Sequence, residues 1–149
     1  MRLRMPLLFV MFSLLLGSSL VSDAFADTAV PLHVTILSAS QGGSDFNLDN
    51  DAYRDQLIQL FSYRSYQQKK DLNVDLKKGE RVLVPLSDGY ELILTLQDQE
   101  NGRIHVQALI RKGREQYMDS VLAILTPGVV FLGGPSVSEG TLIIVLESH

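Results

Sequence analysis

The chain contains no cysteine. That absence removes disulfides, thiolate zinc sites and cysteine nucleophiles in one step, together with the lipid-bearing cysteine of a bacterial lipoprotein. A small fold without staples has to be held by its apolar core alone. Histidine is scarce as well. His33 sits near the start of a strand-like run, His105 alternates with apolar residues, and His149 is the last residue of the sequence. No two are close enough in sequence to open a metal site, so all three read as isolated surface imidazoles. Basic charge is also in deficit, with 13 Lys and Arg against 17 Asp and Glu. Nucleic-acid binding needs a basic footprint, and the one basic cluster, Lys69-Lys70 and Lys77-Lys78, is interleaved with Asp71, Asp75 and Glu80 as on a solvated strand face.

Catalytic motifs are missing too. There is no Gly-x-Ser-x-Gly, and Ser136 follows Gly133-Gly134-Pro135 without the strand-to-helix elbow that exposes a nucleophile. No helical pattern follows that glycine pair to aim N–H groups at a phosphate, so it reads as a tight turn between buried strands. The acidic run Asp45, Asp49, Asp51 fails as a calcium loop, because Asn50 stands where the central glycine belongs and Gln56 where the bidentate glutamate belongs. Helix capping accounts for it. The expectation is therefore no catalytic residue, no metal and no cofactor.

Apolar runs long enough to span a membrane are absent. The longest early run, residues 7–16 (LLFVMFSLLL), is 10 residues against the roughly 20 of a spanning helix. Arg2 and Arg4 precede it, Gly17-Ser18-Ser19 break it, and Ala24-Phe25-Ala26 supplies the small-x-small site of a signal peptidase. The pattern predicts a signal peptide over residues 1–26, no membrane span after cleavage, and a periplasmic or secreted product. ATP and NAD are then poor candidates as ligands. What remains, residues 27–149, is the size of one domain, and losing Arg2, Arg4 and Asp23 from the counts of 13 and 17 leaves 11 basic and 16 acidic residues, a net charge near −5.

That domain reads as mostly β. Residues 32–37 (LHVTIL) form a first strand, and residues 38–47, with Gly42-Gly43, a loop without period. Asp49, Asn50 and Asp51 crowd the start of one amphipathic helix over about residues 50–63, with Tyr53, Leu57, Leu60 and Phe61 on one face. From Ser65 the period becomes two: Leu72/Val74/Leu76, Val82/Val84/Leu86, Leu92/Leu94/Leu96 and Ile104/Val106/Ala108/Ile110, with Asn101-Gly102 as the strongest hairpin signal. Residues 121–125 (VLAIL), 129–132 (VVFL) and 142–146 (LIIVL) are apolar at successive positions, as in strands covered on both faces, and the last is expected to be a central strand. The fold class is α+β, mostly β: an antiparallel sandwich or partly open barrel of about seven or eight strands with one helix after the first strand.

Two stretches carry resemblances. Residues 57–66 (LIQLFSYRSY), with Gly133-Gly134-Pro135 and Gly140-Thr141-Leu142-Ile143-Ile144, resemble a group of small uncharacterised exported proteins of Gram-negative bacteria. Residues 127–134 (PGVVFLGG) are similar to the glycine-turn, apolar-strand, Gly-Gly segment of outer-membrane secretins. The first group brings no assigned activity, and the second similarity implies an accessory to an envelope or secretion machine. The leading expectation is a non-enzymatic periplasmic binding or assembly module, whose strand edges accept an envelope protein. The alternative is a small-ligand or glycan binder, using Tyr63, Arg64 and Tyr66 as a surface and the Gly42-Gly43 loop as a lid. The competing reading of Tyr53, Phe61, Tyr63 and Tyr66 is a hydrophobic clasp pinning helix to sheet. An enzyme requires scattered carboxylates such as Asp88 and Glu91 to converge.

Overall fold

The computed structural model describes residues 28–48 and 51–149, with the Asp51 side chain excluded. The expected signal peptide, and the expected capping by Asp49, Asn50 and the Asp51 side chain, lie outside the described residues. The chain forms β1 (Val30–Ser40), the two-residue β2 (Phe46–Asn47), a 3-10 turn at Asp51–Tyr53 and helix α1 (Arg54–Leu60). Then follow β3 (Ser65–Leu76), β4 (Arg81–Pro85), β5 (Tyr90–Glu100), β6 (Arg103–Lys112), β7 (Glu115–Leu125), β8 (Gly128–Val137) and β9 (Gly140–Ser148). Strand order is β2-β3-β1-β9-β8 in one sheet and β4-β5-β6-β7 in the other. Two open sheets face each other as a sandwich, and they do not close into a barrel. All pairings between these strands are antiparallel except the short β2–β3 contact, and Lys78 adds an isolated parallel bridge to Leu96 of β5.

The period-two pattern sets which side chains meet between the sheets. Leu32, Val34 and Ile36 of β1, Leu142, Ile144 and Leu146 of β9, Leu92 and Leu94 of β5, and Val106, Ala108 and Ile110 of β6 are buried in one continuous core. The second sheet is a plain meander. Its β5–β6 hairpin turns at Asn101-Gly102, both at positive φ (51° and 71°), the geometry that an Asn-Gly pair favours.

A smaller core lies on the other face of the first sheet. Leu37, Ala39, Ile143 and Val145 point away from the sandwich interior and are covered by Tyr53 and Leu57 from the helical segment, with Tyr66 closing one side. The molecule is thus three layers: helix, five-stranded sheet, four-stranded sheet. The helical segment is shorter than the expected 50–63, because Phe61 already adopts an extended backbone (φ −128°, ψ 145°). Leu60, expected on the buried face, is exposed. Contact with the sheet follows Tyr53, Leu57 and Phe61, and with Leu57 facing the sheet Leu60 falls on the flank of so short a helix.

Two other expectations are corrected. Gly133-Gly134-Pro135 is not a turn but lies inside β8, where the register against β9 shifts between Gly133 and Ser136. Proline fits there because β8 is an edge strand, so its missing N–H breaks no ladder bond. Residues 121–125 are likewise not covered on both faces. β7 is the edge strand of its sheet, with Ile124 buried inward while Val121 and Leu125 face solvent, 54% and 55% exposed. In contrast β9 is paired on both sides, by β1 and β8, and every residue from Leu142 to Leu146 is fully buried.

Candidate functional site

The aromatic residues after the helix belong to its packing. Tyr66, the second residue of β3, has 0% exposure, and its hydroxyl donates to the Leu57 carbonyl at 3.1 Å, with the Phe61 carbonyl 3.4 Å away. Its ring meets Phe46 (5.2 Å between centroids) and the edge of Tyr63 (6.4 Å). Burial pushes the Tyr66 hydroxyl pKa up. A ring enclosed in this way cannot stack on a ligand, so the expected Tyr63/Tyr66 surface is replaced by a clasp in which Tyr63 is half-buried. Arg64 is exposed, and its backbone N–H donates to Ser40 (3.1 Å), closing the loop that carries Gly42 and Gly43. Those two glycines form an exposed bend.

Beyond that bend the chain returns to the sheet and shapes a groove of about 550 Å³ lined by Ser44, Asp45, Phe46, Asn47, Arg54 and Gln67. Its floor is fixed by backbone bonding. The Tyr66 N–H donates to the Asp45 carbonyl at 2.9 Å, and β2 runs parallel to β3 with Phe46 beside Tyr66 and Asn47 beside Gln67. The Arg54 guanidinium lies over the Phe46 ring, 4.5 Å from its centroid. Among the described residues, the side chains of Ser44, Asp45 and Asn47 make no internal hydrogen bond, and Gln67 only accepts a long one from Lys69 (3.4 Å). The sequence marks the Gly42-Gly43 bend next to this groove, but of the six lining residues it signals only the acidic run at Asp45. The groove is assembled from a loop, a helix start and a strand that no local pattern links.

No protein-family model, curated protein or solved structure matches the chain.

Several polar groups elsewhere have structural partners. His33 is not isolated: its Nε2 lies 2.6 Å from Asp71 Oδ1 and its Nδ1 lies 2.7 Å from Asn73 Oδ1, across the β1–β3 pairing. Thr35 Oγ1 donates to the same Asp71 oxygen at 3.0 Å. On the far side of β1, the Tyr53 hydroxyl donates to Glu147 of β9, tying the helical segment to the sheet. Desolvation, and then Glu147 itself, raise the Tyr53 pKa well above that of a free phenol. Asp88 and Glu91 do not converge. Asp88 accepts from the Ser138 N–H (2.7 Å) and hydroxyl (3.0 Å), while Glu91 pairs with Arg111 at 3.1 Å. His105 lies on the outer face of the second sheet, in a groove of about 370 Å³ with Glu100, Asn101, Arg103 and Leu125.

Proposed function

We propose that this protein is a non-enzymatic binding or assembly module of the bacterial envelope, accessory to an envelope or secretion machine. The observation that carries this reading is the β7 edge. Native sandwiches blunt their edges with charge, proline or very short strands. β4 follows that practice, being five residues long and ending at Pro85. β7 has 11 residues, no proline, and an outward row of Val121, Ala123 and Leu125 at its C-terminal end. An edge of that kind accepts an extended apolar segment by strand addition, with main-chain hydrogen bonds giving affinity and the outward side chains giving selectivity. Residues 127–134, which carry the resemblance to secretins, continue directly from this edge into β8, and the signal-peptide pattern of residues 1–26 supports an envelope location.

A photo-crosslinking residue placed at Val121 in the full chain tests the idea in cells. The reading expects a discrete adduct at that position, none when the crosslinker replaces exposed Ile58 on the helix, and loss of the adduct when Leu125→Lys is added. Equal adducts at both positions, or an adduct indifferent to the lysine, would remove β7 as the partner surface.

A further inference from the structure

The groove beside β2 has a chemistry that the edge-strand reading does not use, and it lies at the opposite edge of the first sheet from β8, where β7 makes its contacts. We infer that this groove is a carbohydrate subsite, taking a short neutral glycan through Asp45, Asn47, Arg54 and Gln67.

The groove offers exposed hydrogen-bonding groups that the protein itself leaves largely unused. Asp45 offers only acceptors, Arg54 only donors, and Asn47, Gln67 and Ser44 offer both. Among the described residues, these side chains have almost no protein partners, and all of them line one concavity. Adjacent hydroxyls on a sugar ring each donate once and accept as well. Planar carboxylate, amide and guanidinium groups meet such pairs two bonds at a time. Arg54 is positioned for this, because its guanidinium lies over the Phe46 ring, 4.5 Å from the centroid, and the cation–π contact anchors it at the groove. The two charges oppose one another, so neither an anion nor a cation is favoured: Asp45 repels the first and Arg54 the second. The volume of about 550 Å³ falls inside the range of roughly 300–1,000 Å³ for small-ligand sites. The parallel β2–β3 register holds Asn47 and Gln67 side by side before any ligand arrives, which lowers the cost of ordering them.

The test is a titration of the ¹⁵N-labelled full chain, as purified from expressing cells, with cellotriose, chitotriose and maltotriose. Glycylglycine serves as a zwitterionic probe and inorganic phosphate as an anionic one. The inference expects at least one trisaccharide to move the amide signals of Asn47, Arg54 and Gln67 saturably. Asp45→Ala and Arg54→Ala should each weaken that binding about tenfold or more, the loss of one charge-assisted bond. Asn47→Ala, which removes no internal hydrogen bond among the described residues, is the variant least able to disturb folding and should also weaken it, while Ile58→Ala should not. The inference is overturned if no trisaccharide moves those signals, if glycylglycine or phosphate binds there more tightly than the sugars, or if Asn47→Ala and Asp45→Ala leave the affinity unchanged. None of these outcomes depends on β7, so the edge-strand proposal stands or falls separately.

Discussion

Tyr53 shows how much one side chain can carry when it joins layers. Its ring packs edge-on against Phe131 of β8 (5.7 Å between centroids), and its hydroxyl holds Glu147 of β9. One residue therefore anchors the helical segment to two neighbouring strands. Tyr53→Phe keeps the ring and loses the bond, leaving Glu147 without its donor; the expected cost is about 1–3 kcal/mol, read as a lower urea midpoint at pH 7. The pH dependence has a defined sign. Folding raises the Tyr53 pKa, chiefly by desolvation, so the unfolded chain loses that proton first as the solution becomes alkaline. The stabilisation is complete below the ordinary phenol pKa of about 10 and is lost as pH rises through the higher folded value. Urea midpoints of wild type and Tyr53→Phe should therefore converge above about pH 10. A constant gap between them would show that the hydroxyl is no more protonated in the folded state.

Among the elements, β9 is the one on which the first sheet depends. Its five consecutive residues from Leu142 to Leu146 are fully buried, alternately between the sheets and beneath the helix. Each such side chain is worth roughly 1.5–3 kcal/mol, so together they match the roughly 5–15 kcal/mol that keeps a domain folded. Deleting residues 142–149 should abolish soluble protein, and Ile144→Ala alone should cost about 2–5 kcal/mol in denaturant titration. A truncated chain that stays soluble with native circular dichroism would make β9 a detachable tail. The same strand shows what the sequence makes legible. Successive apolar residues correctly point to a strand covered on both faces at residues 142–146, yet the equally apolar residues 121–125 form an exposed edge. Composition states that a side chain can be buried, while sheet order decides whether anything is there to cover it. Hairpins such as Asn101-Gly102 are readable because their signal is local. The bulge at Gly133-Gly134-Pro135 reads as a turn because glycine and proline mark both. His33 and the groove are hidden for a related reason: their surroundings come from residues far away in the chain, such as Asp71 and Asn73 for His33, whereas the Tyr66 clasp is readable because Leu57, Phe61 and Tyr63 lie nearby in sequence.

At the scale of the whole molecule, the two sheets are built from different kinds of contact. The β4–β7 meander uses hairpins between neighbours, whereas the first sheet pairs β1 with β3 and with β9, and Ser38 Oγ reaches the Glu139 carbonyl 101 positions further on (2.6 Å). Long-range pairing costs loop-closure entropy before it returns any contact, so the meander should form first and refolding should fall in the millisecond-to-second range of β-sandwiches. Tyrosine fluorescence in stopped flow can follow it, since the chain has no tryptophan. Val106→Ala, in the meander, should mainly slow folding, and Ile144→Ala should mainly speed unfolding. The reverse assignment would place the nucleus in the first sheet.

The pairing of β1 with β9 has a biological corollary. Without β9, β1 has a bare edge and an uncovered apolar surface, which is the kind of segment that chaperones hold and proteases cut. A chain interrupted before β9 cannot hide that defect, however well its central meander has folded. The two strands thereby guard one another, and a lesion in either leaves its neighbour unprotected.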